Sequence, residues 1–509
     1  MTETLPLDGR SLTLDQFLAV VRGGCAVSVD PDARREVMAS RRVVERAIAS
    51  GRAVYGVTTG SGALSATVVP SARSRELQAS LVRSHASGAG PPLPAELVRG
   101  LLLLRLNSLL QGHSGVRPEL LDLMVELLNR GLVPYIPEQG SVGASGDLAP
   151  LAHLALALIG EGSFLPHRGD AAEPAGEVLR REGLAPVVLA EKEGVALVNG
   201  TSLMAAYLAL GVADVRELLD AAVVAAALSF DALEGSPESL DDRLGELRHS
   251  PDQRAVATAL RALLAGSALA APRREWKGQD PYTLRCVPQV LGAVRLALGW
   301  AEEVVARELN AVSDNPVVFE GDEFVNGGNF HGQPLAFALD SLAIAVQYIA
   351  GFSERRTARL VHPALNRGLP PFLAPEAGVS SGFMIPQYLA AALVNENATL
   401  AHPASATSLP TSADQEDYVS MGAWAGAKLA RMVVNARRVV AVEWMVAGQA
   451  LELRRPRVGG KGSEAALRAL RAGVAPWSRD RSPAPDIEVI AEAIRTGTLV
   501  REVRSSVPF

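Results

Sequence analysis

The chain has 509 residues, 48% of them hydrophobic, which is enough apolar material for one large core or two to three domains and excludes a disordered chain. Lysine plus arginine number 49 against 55 acidic residues, a net charge of −6 without a long run of one sign. That balance argues against a nucleic-acid or membrane surface and for small-molecule partners.

The only cysteines, Cys25 and Cys286, form no C-x-x-C pair, so neither a disulfide framework nor a zinc or redox site is expected, and a reducing compartment fits. The opening residues MTETLPLDGR lack a basic segment followed by an apolar one. The longest apolar runs read as broken by Asp, Glu or Arg before they could span a bilayer, so a soluble, cytoplasmic protein is expected.

Residues 1–200 read as short segments broken by loops, with turn-rich stretches at 54–65 and 134–146. Beyond them the helical period dominates. Over 289–310, Val290, Leu291, Val294, Ala297, Trp300, Ala301, Val304, Val305 and Leu309 recur at spacings of three and four. Stretches 201–233, 334–361 and 426–454 read the same way and are apolar around much of their circumference, as helices buried in a bundle or between subunits would be. A homo-oligomer is therefore expected. Strands should be few and short, and residues 454–464 and 476–486 read as connections around a small helical tail. The fold class expected is mainly α: an N-terminal region over 1–200, a central long-helix bundle over 201–454 and a C-terminal tail over 455–509.

Within GSVGASGDLAP, residues 140–150, Ala144, Ser145 and Gly146 form an almost side-chain-free turn before a strongly apolar stretch. One reading is a glycine-rich helix start with Asp147 favoured by the helix dipole. The other is chemical. The Gly146 amide nitrogen can formally attack the Ala144 carbonyl carbon with loss of water, while Ser145 loses its hydroxyl to become a methylene. Glycine permits the close backbone approach, alanine is small, and serine supplies the leaving hydroxyl.

The longer string GSVGASGDLAPLAH resembles the signature of the histidine and phenylalanine ammonia-lyase family, whose members cyclise Ala-Ser-Gly into a 4-methylidene-imidazol-5-one (MIO). The resemblance covers most of the chain and implies an ammonia-lyase/fumarase-like architecture, no external cofactor, and a homotetramer whose site is assembled from three subunits. In YGVTTGSG it makes Tyr55 the catalytic base on a mobile lid, although Ser61 stands where an aromatic is usual. In LVNGTS it makes Asn199 a donor to the MIO carbonyl; a turn residue satisfying its own backbone is the alternative. In QDPYTLRCVPQ it assigns Gln279, Tyr282 and Arg285, the guanidinium matching a substrate carboxylate with two parallel hydrogen bonds. If that segment is helical, Tyr282 and Arg285 share a face. In NGGNFHGQP it places Asn329 and Phe330 near the MIO; a core phenylalanine is the plain alternative. The histidines never fall in H-x-x-x-H spacing, so no metal is expected.

SADQEDYVSMG, residues 412–422, carries two readings. Ser412 and Gln415 stand at capping-box spacing, with acidic residues placed for a first helical turn. The resemblance instead puts Gln415 and Glu416 at the substrate, Glu416 facing an imidazole. His85 in RSHASG is a polar residue where enzymes of nonpolar rings carry apolar ones. Together they imply L-histidine and trans-urocanate as substrate and product. Ser202, Val287 and Gln333 resemble instead the phenylalanine or tyrosine lyases and the tyrosine aminomutases, and Tyr418 stands where a histidine is usual.

Overall fold

A computed structural model describes residues 4–144, 146–166, 171–270 and 278–509. The architecture is mainly α, and the sheets among the described residues are two-stranded, with strands of two to four residues. The long helices run Ser202–Ala232, Val287–Glu308, Gln333–Val361 and Gly422–Leu453, within a few residues of the periodic stretches. One expectation fails at Gln333–Val361. Asp340 is its only charged residue before Glu354, so by length and composition this helix could cross a bilayer. In the fold, 61% of its apolar window is buried.

The chain forms two compact units, each gathering three separated segments rather than one sequential region. The first comprises Met1–Leu210, Glu302–Leu339 and Ala404–Ala427. Its helix Pro31–Ala49 starts where Asp30 accepts from the amides of Asp32 and Ala33, with proline at the first helical position. The face it buries, Ala33, Val37, Ser40, Val44 and Ala47, follows the three-four period. Helix Ala95–Leu110 is buried from Gly100 to Leu110, and so carries Arg105 and Asn107 into the interior. Helices Ser74–His85, Leu148–Leu158 and Glu193–Val198 pack mutually and bring three loop ends together. The short antiparallel pair Ala89–Pro92 with Pro137–Gln139 ties the chain after His85 to the chain before the tripeptide.

The second unit comprises Gly211–Ala301, Asp340–Pro403 and Lys428–Phe509. Its most deeply buried ion pair is fully bonded, as burial requires. Arg356 and Glu443 are both fully buried. Arg356 donates from Nε and Nη2 at 2.5 and 2.8 Å, and the Ser229 hydroxyl donates to Glu443 Oε1 at 2.6 Å. The Trp444 indole, also fully buried, donates to the Ala221 carbonyl at 2.9 Å. The C-terminal tail forms helices Lys461–Gly473, Ala484–Arg495 and Thr498–Ser506.

Candidate active site

The tripeptide lies immediately before helix Leu148–Leu158. Ala144 is buried; Ser145 lies outside the described residues. Gly146 has φ +78° and runs alongside Gly200, so a Cβ there would sit 2.0 Å from the Gly200 carbonyl oxygen. No other residue type tolerates both the left-handed backbone and that approach. The Asp147 amide donates to the same carbonyl at 2.7 Å, which fixes the turn from its far side.

Asp147 caps a helix that begins 55 residues later in the chain. Its Oδ2 accepts from the amides of Leu203 and Met204, at 2.8 and 3.1 Å, in the first turn of Ser202–Ala232. Burial pushes its carboxyl up to about 7, opposed by these two amides. Asn199, on the strand-like step before that helix, is held from both ends. Its Nδ2 donates to the Asn315 carbonyl at 2.7 Å and to Asp314 Oδ1 at 3.3 Å, while its carbonyl accepts from Arg105 Nη1 at 2.5 Å. Beneath it Lys192 and Asp314 form a fully buried pair at 2.8 Å. Burial would raise the Asp314 carboxyl, but the Lys192 and Arg105 charges outweigh it and hold it below the usual range.

A cavity of about 380 Å³ opens beside Asn199 and Leu148, within the range that holds a small ligand. Tyr55, His85, Ser412 and Glu416 line it as well. The Tyr55 hydroxyl accepts from the Gly62 amide at 3.0 Å. The base of its loop is clamped by Gln78, which donates from Nε2 to the Gly56 carbonyl and accepts at Oε1 from the Val195 amide. His85 ends helix Ser74–His85, with Nδ1 3.1 Å from the Ser84 hydroxyl. Three residues on, the Gly88 amide donates to His153 Nε2 at 3.1 Å. Burial depresses the His153 pKa and so favours the neutral ring that can accept this bond. Glu416 Oε2 accepts from the Thr411 hydroxyl at 2.8 Å.

Tyr55, His85, Asn199 and Glu416 are thus brought to one cavity, whose lining among the described residues belongs to the first unit. Phe330 is half-buried in the turn before helix Gln333–Val361, and Gln415 is exposed; neither lines that cavity. Gln279, Tyr282 and Arg285 belong to the second unit. There the short helix Tyr282–Arg285 does place the guanidinium over the Tyr282 ring, 4.8 Å from its centroid, with Arg285 Nε buried and without a partner. The capping-box alternative at Ser412 is overturned. Residues 412–414 turn left-handed, Thr411 and Glu416 pair across the turn, and the helix begins only at Gly422. Sequence reading missed Gln78, Arg105, His153, Lys192 and Asp314. Only Arg105 left a signal, as a single charge among the leucines of residues 101–110.

A larger cavity, about 700 Å³, lies between helix Pro31–Ala49 and strand Val317–Phe319. Size does not make it the better candidate. Arg10 and Arg46 in its wall are engaged by Glu36 and Asp322, and the His113 ring is held with Nδ1 2.9 Å from the Val318 carbonyl oxygen.

The sequence profile of the aromatic amino acid lyases matches residues 12–472. A histidine ammonia-lyase of Anaeromyxobacter sp. (strain K) is 50% identical over 98% of this chain and 99% of its own. Among solved structures, the histidine ammonia-lyase of Trypanosoma cruzi superposes with a TM-score of 0.92 at 40% identity, covering 99% of this chain and 96% of that one. The tyrosine aminomutase of Streptomyces globisporus superposes with a TM-score of 0.94 at 36% identity, covering 100% and 99%.

Proposed function

Because the chain belongs to the aromatic amino acid lyase family, we propose that it eliminates ammonia non-oxidatively from L-histidine, giving trans-urocanate. The observation that carries the choice of substrate is the meeting of His85 and Glu416 in the cavity that also holds Tyr55 and Asn199. A buried imidazole left without hydrogen-bond partners would cost about 1–3 kcal/mol, and these two side chains supply them.

The residues around Ala144, Ser145 and Gly146 fit an MIO. The glycine is pinned at a distance from Gly200 that no side chain would allow, and Asp147 holds the turn against the first amides of helix Ser202–Ala232. This group, once formed, supplies an electrophilic carbon that makes the substrate amine a better leaving group. Tyr55 takes the β-proton as general base as the C–N bond breaks, leaving the new double bond between the α and β carbons and releasing ammonia. Arg285 pairs with the substrate carboxylate through two parallel hydrogen bonds, with Gln279 and Tyr282 beside it. The positive end of helix Ser202–Ala232 favours negative charge developing at the tripeptide, and Asn199, whose two Nδ2 hydrogens go to Asn315 and Asp314, adds to it on releasing the longer of these bonds. Phe330 and Gln415, which lie outside this cavity's described lining, are assigned to the substrate side on the family resemblance. We infer a cytoplasmic homotetramer with sites shared among subunits, acting on a small molecule without nucleic acid or membrane.

Incubating the purified protein separately with L-histidine, L-tyrosine and L-phenylalanine and following product absorbance tests this reading. Urocanate alone is expected; coumarate or cinnamate in its place would reject histidine. A second reading, a tyrosine or phenylalanine ammonia-lyase or a tyrosine 2,3-aminomutase, is favoured by Ser202, Val287 and Gln333 and by the likeness to the Streptomyces aminomutase. Formation of a β-amino acid would establish the aminomutase.

Glu416→Gln gives a sharper result. Losing a charged hydrogen-bond partner is worth about 1.5–3 kcal/mol, so kcat/KM for L-histidine should fall roughly 10- to 100-fold. Turnover of L-phenylalanine should stay absent, and an unchanged kcat/KM for histidine would remove Glu416 from the ring site.

A further inference from the structure

Two segments of the first unit meet beside the cavity, and one hydroxyl joins them. In the loop that carries Tyr55, the Gly62 amide donates to the Tyr55 hydroxyl at 3.0 Å, and the next amide, Ala63, donates to Ser412 Oγ at 3.3 Å. The approach is close enough that a Cβ on Gly62 would sit 2.6 Å from that oxygen. On the other side Ser412, Ala413 and Asp414 have φ of +53, +50 and +62°, a left-handed run that non-glycine residues avoid. The turn is closed by Thr411 and Glu416, each donating its amide to the other's carbonyl at 3.0 and 3.2 Å, while the Thr411 hydroxyl holds the Glu416 carboxyl. Strained backbone of this kind persists only where surrounding contacts impose it, and it concentrates at functional sites.

Resting on the reading of Tyr55 as the base and Glu416 as the ring partner, we propose that Ser412 is a positioning residue that couples the two. Its hydroxyl anchors the amide next to the one that orients the Tyr55 phenol, and its backbone belongs to the turn that presents Glu416. A substrate ring that satisfies Glu416 keeps the turn, the Ser412 hydroxyl and the Tyr55 oxygen in register. A ring that does not bond Glu416 lets the turn move and takes the phenol out of line with the β-proton. Preference for a hydrogen-bonding ring is then expressed in kcat as well as in KM.

Two variants test the coupling. Ser412→Ala removes the hydroxyl and keeps the backbone strain, whereas Ser412→Gly removes the hydroxyl and the strain at that position, leaving Ala413 and Asp414 left-handed, and so favours folding. Each is first checked for the mass deficit of two waters that marks a formed MIO, and then assayed with L-histidine and its β-deuterated form. A base moved out of line by a fraction of an ångström should lower kcat at least about tenfold while KM stays within about twofold. The deuterium isotope effect on kcat should rise as well, which a loss of folded protein would not produce. An unchanged kcat and isotope effect in either folded variant would overturn the proposal, as would failure of both variants to fold, which would make the hydroxyl purely structural. If the unmutated protein makes no urocanate, the reading of Tyr55 and Glu416 fails first and the coupling falls with it.

Discussion

Ser145→Ala is expected to yield a folded protein that carries no two-water mass deficit and no measurable elimination activity toward L-histidine. The reason is covalent. Ring closure between Ala144 and Gly146 can proceed only to an imidazolone without the electrophilic exocyclic methylene unless the middle residue has a hydroxyl to lose from Cβ, and alanine has none. The turn is held by Gly146 against Gly200, by the Asp147 amide on the Gly200 carbonyl and by Asp147 Oδ2 on Leu203 and Met204. The melting temperature should therefore stay close to that of the parent protein. Intact mass spectrometry and the urocanate assay check the result together, and normal turnover in Ser145→Ala would refute an MIO mechanism.

Tyr55→Phe should produce the second large loss, with the opposite signature in the mass spectrum. The two-water deficit remains, because Tyr55 is not part of the tripeptide, while kcat falls about 10²–10⁴-fold, the usual worth of a positioned general base. The hydroxyl also accepts the Gly62 amide, so part of any loss could come from a loosened loop. That neutral hydrogen bond is worth about 0.5–1.5 kcal/mol, or at most roughly tenfold in rate, and the partly exposed amide can turn to water instead. Magnitude separates the two. A fall of tenfold or less, measured by stopped product formation at saturating L-histidine, would assign Tyr55 a loop-packing role and remove it as the base.

Much of the architecture was legible from local pattern. The stretches 201–233, 289–310, 334–361 and 426–454 announce long buried helices, because a three-four period needs only neighbours within two turns to declare itself. The tripeptide was equally legible, since the chemistry constrains three adjacent residue types. The stretch 412–415 shows where local pattern fails. Its serine and glutamine satisfy the spacing of a capping box, yet the chain turns left-handed there and meets the Tyr55 loop through the Ser412 hydroxyl. Spacing is compatible with both conformations; the pairing of Thr411 with Glu416 and the contact of Ser412 with Ala63, 349 positions away, hold the turn.

By itself, then, the sequence determined the helical class, the candidate electrophile and the types of side chain the chemistry calls for. The tertiary structure decided which of them share a cavity, and how each is held: Tyr55, His85, Asn199 and Glu416 around one space, and Gln78, His153 and Arg105 as their supports. Lys192 and Asp314, 122 residues apart, make the same point as a buried pair that no spacing rule announces. Helix periodicity is written into adjacent residues by backbone geometry. Such long-range pairs depend on which surfaces the packed helices bring into contact, and that choice is made by the burial of the whole core.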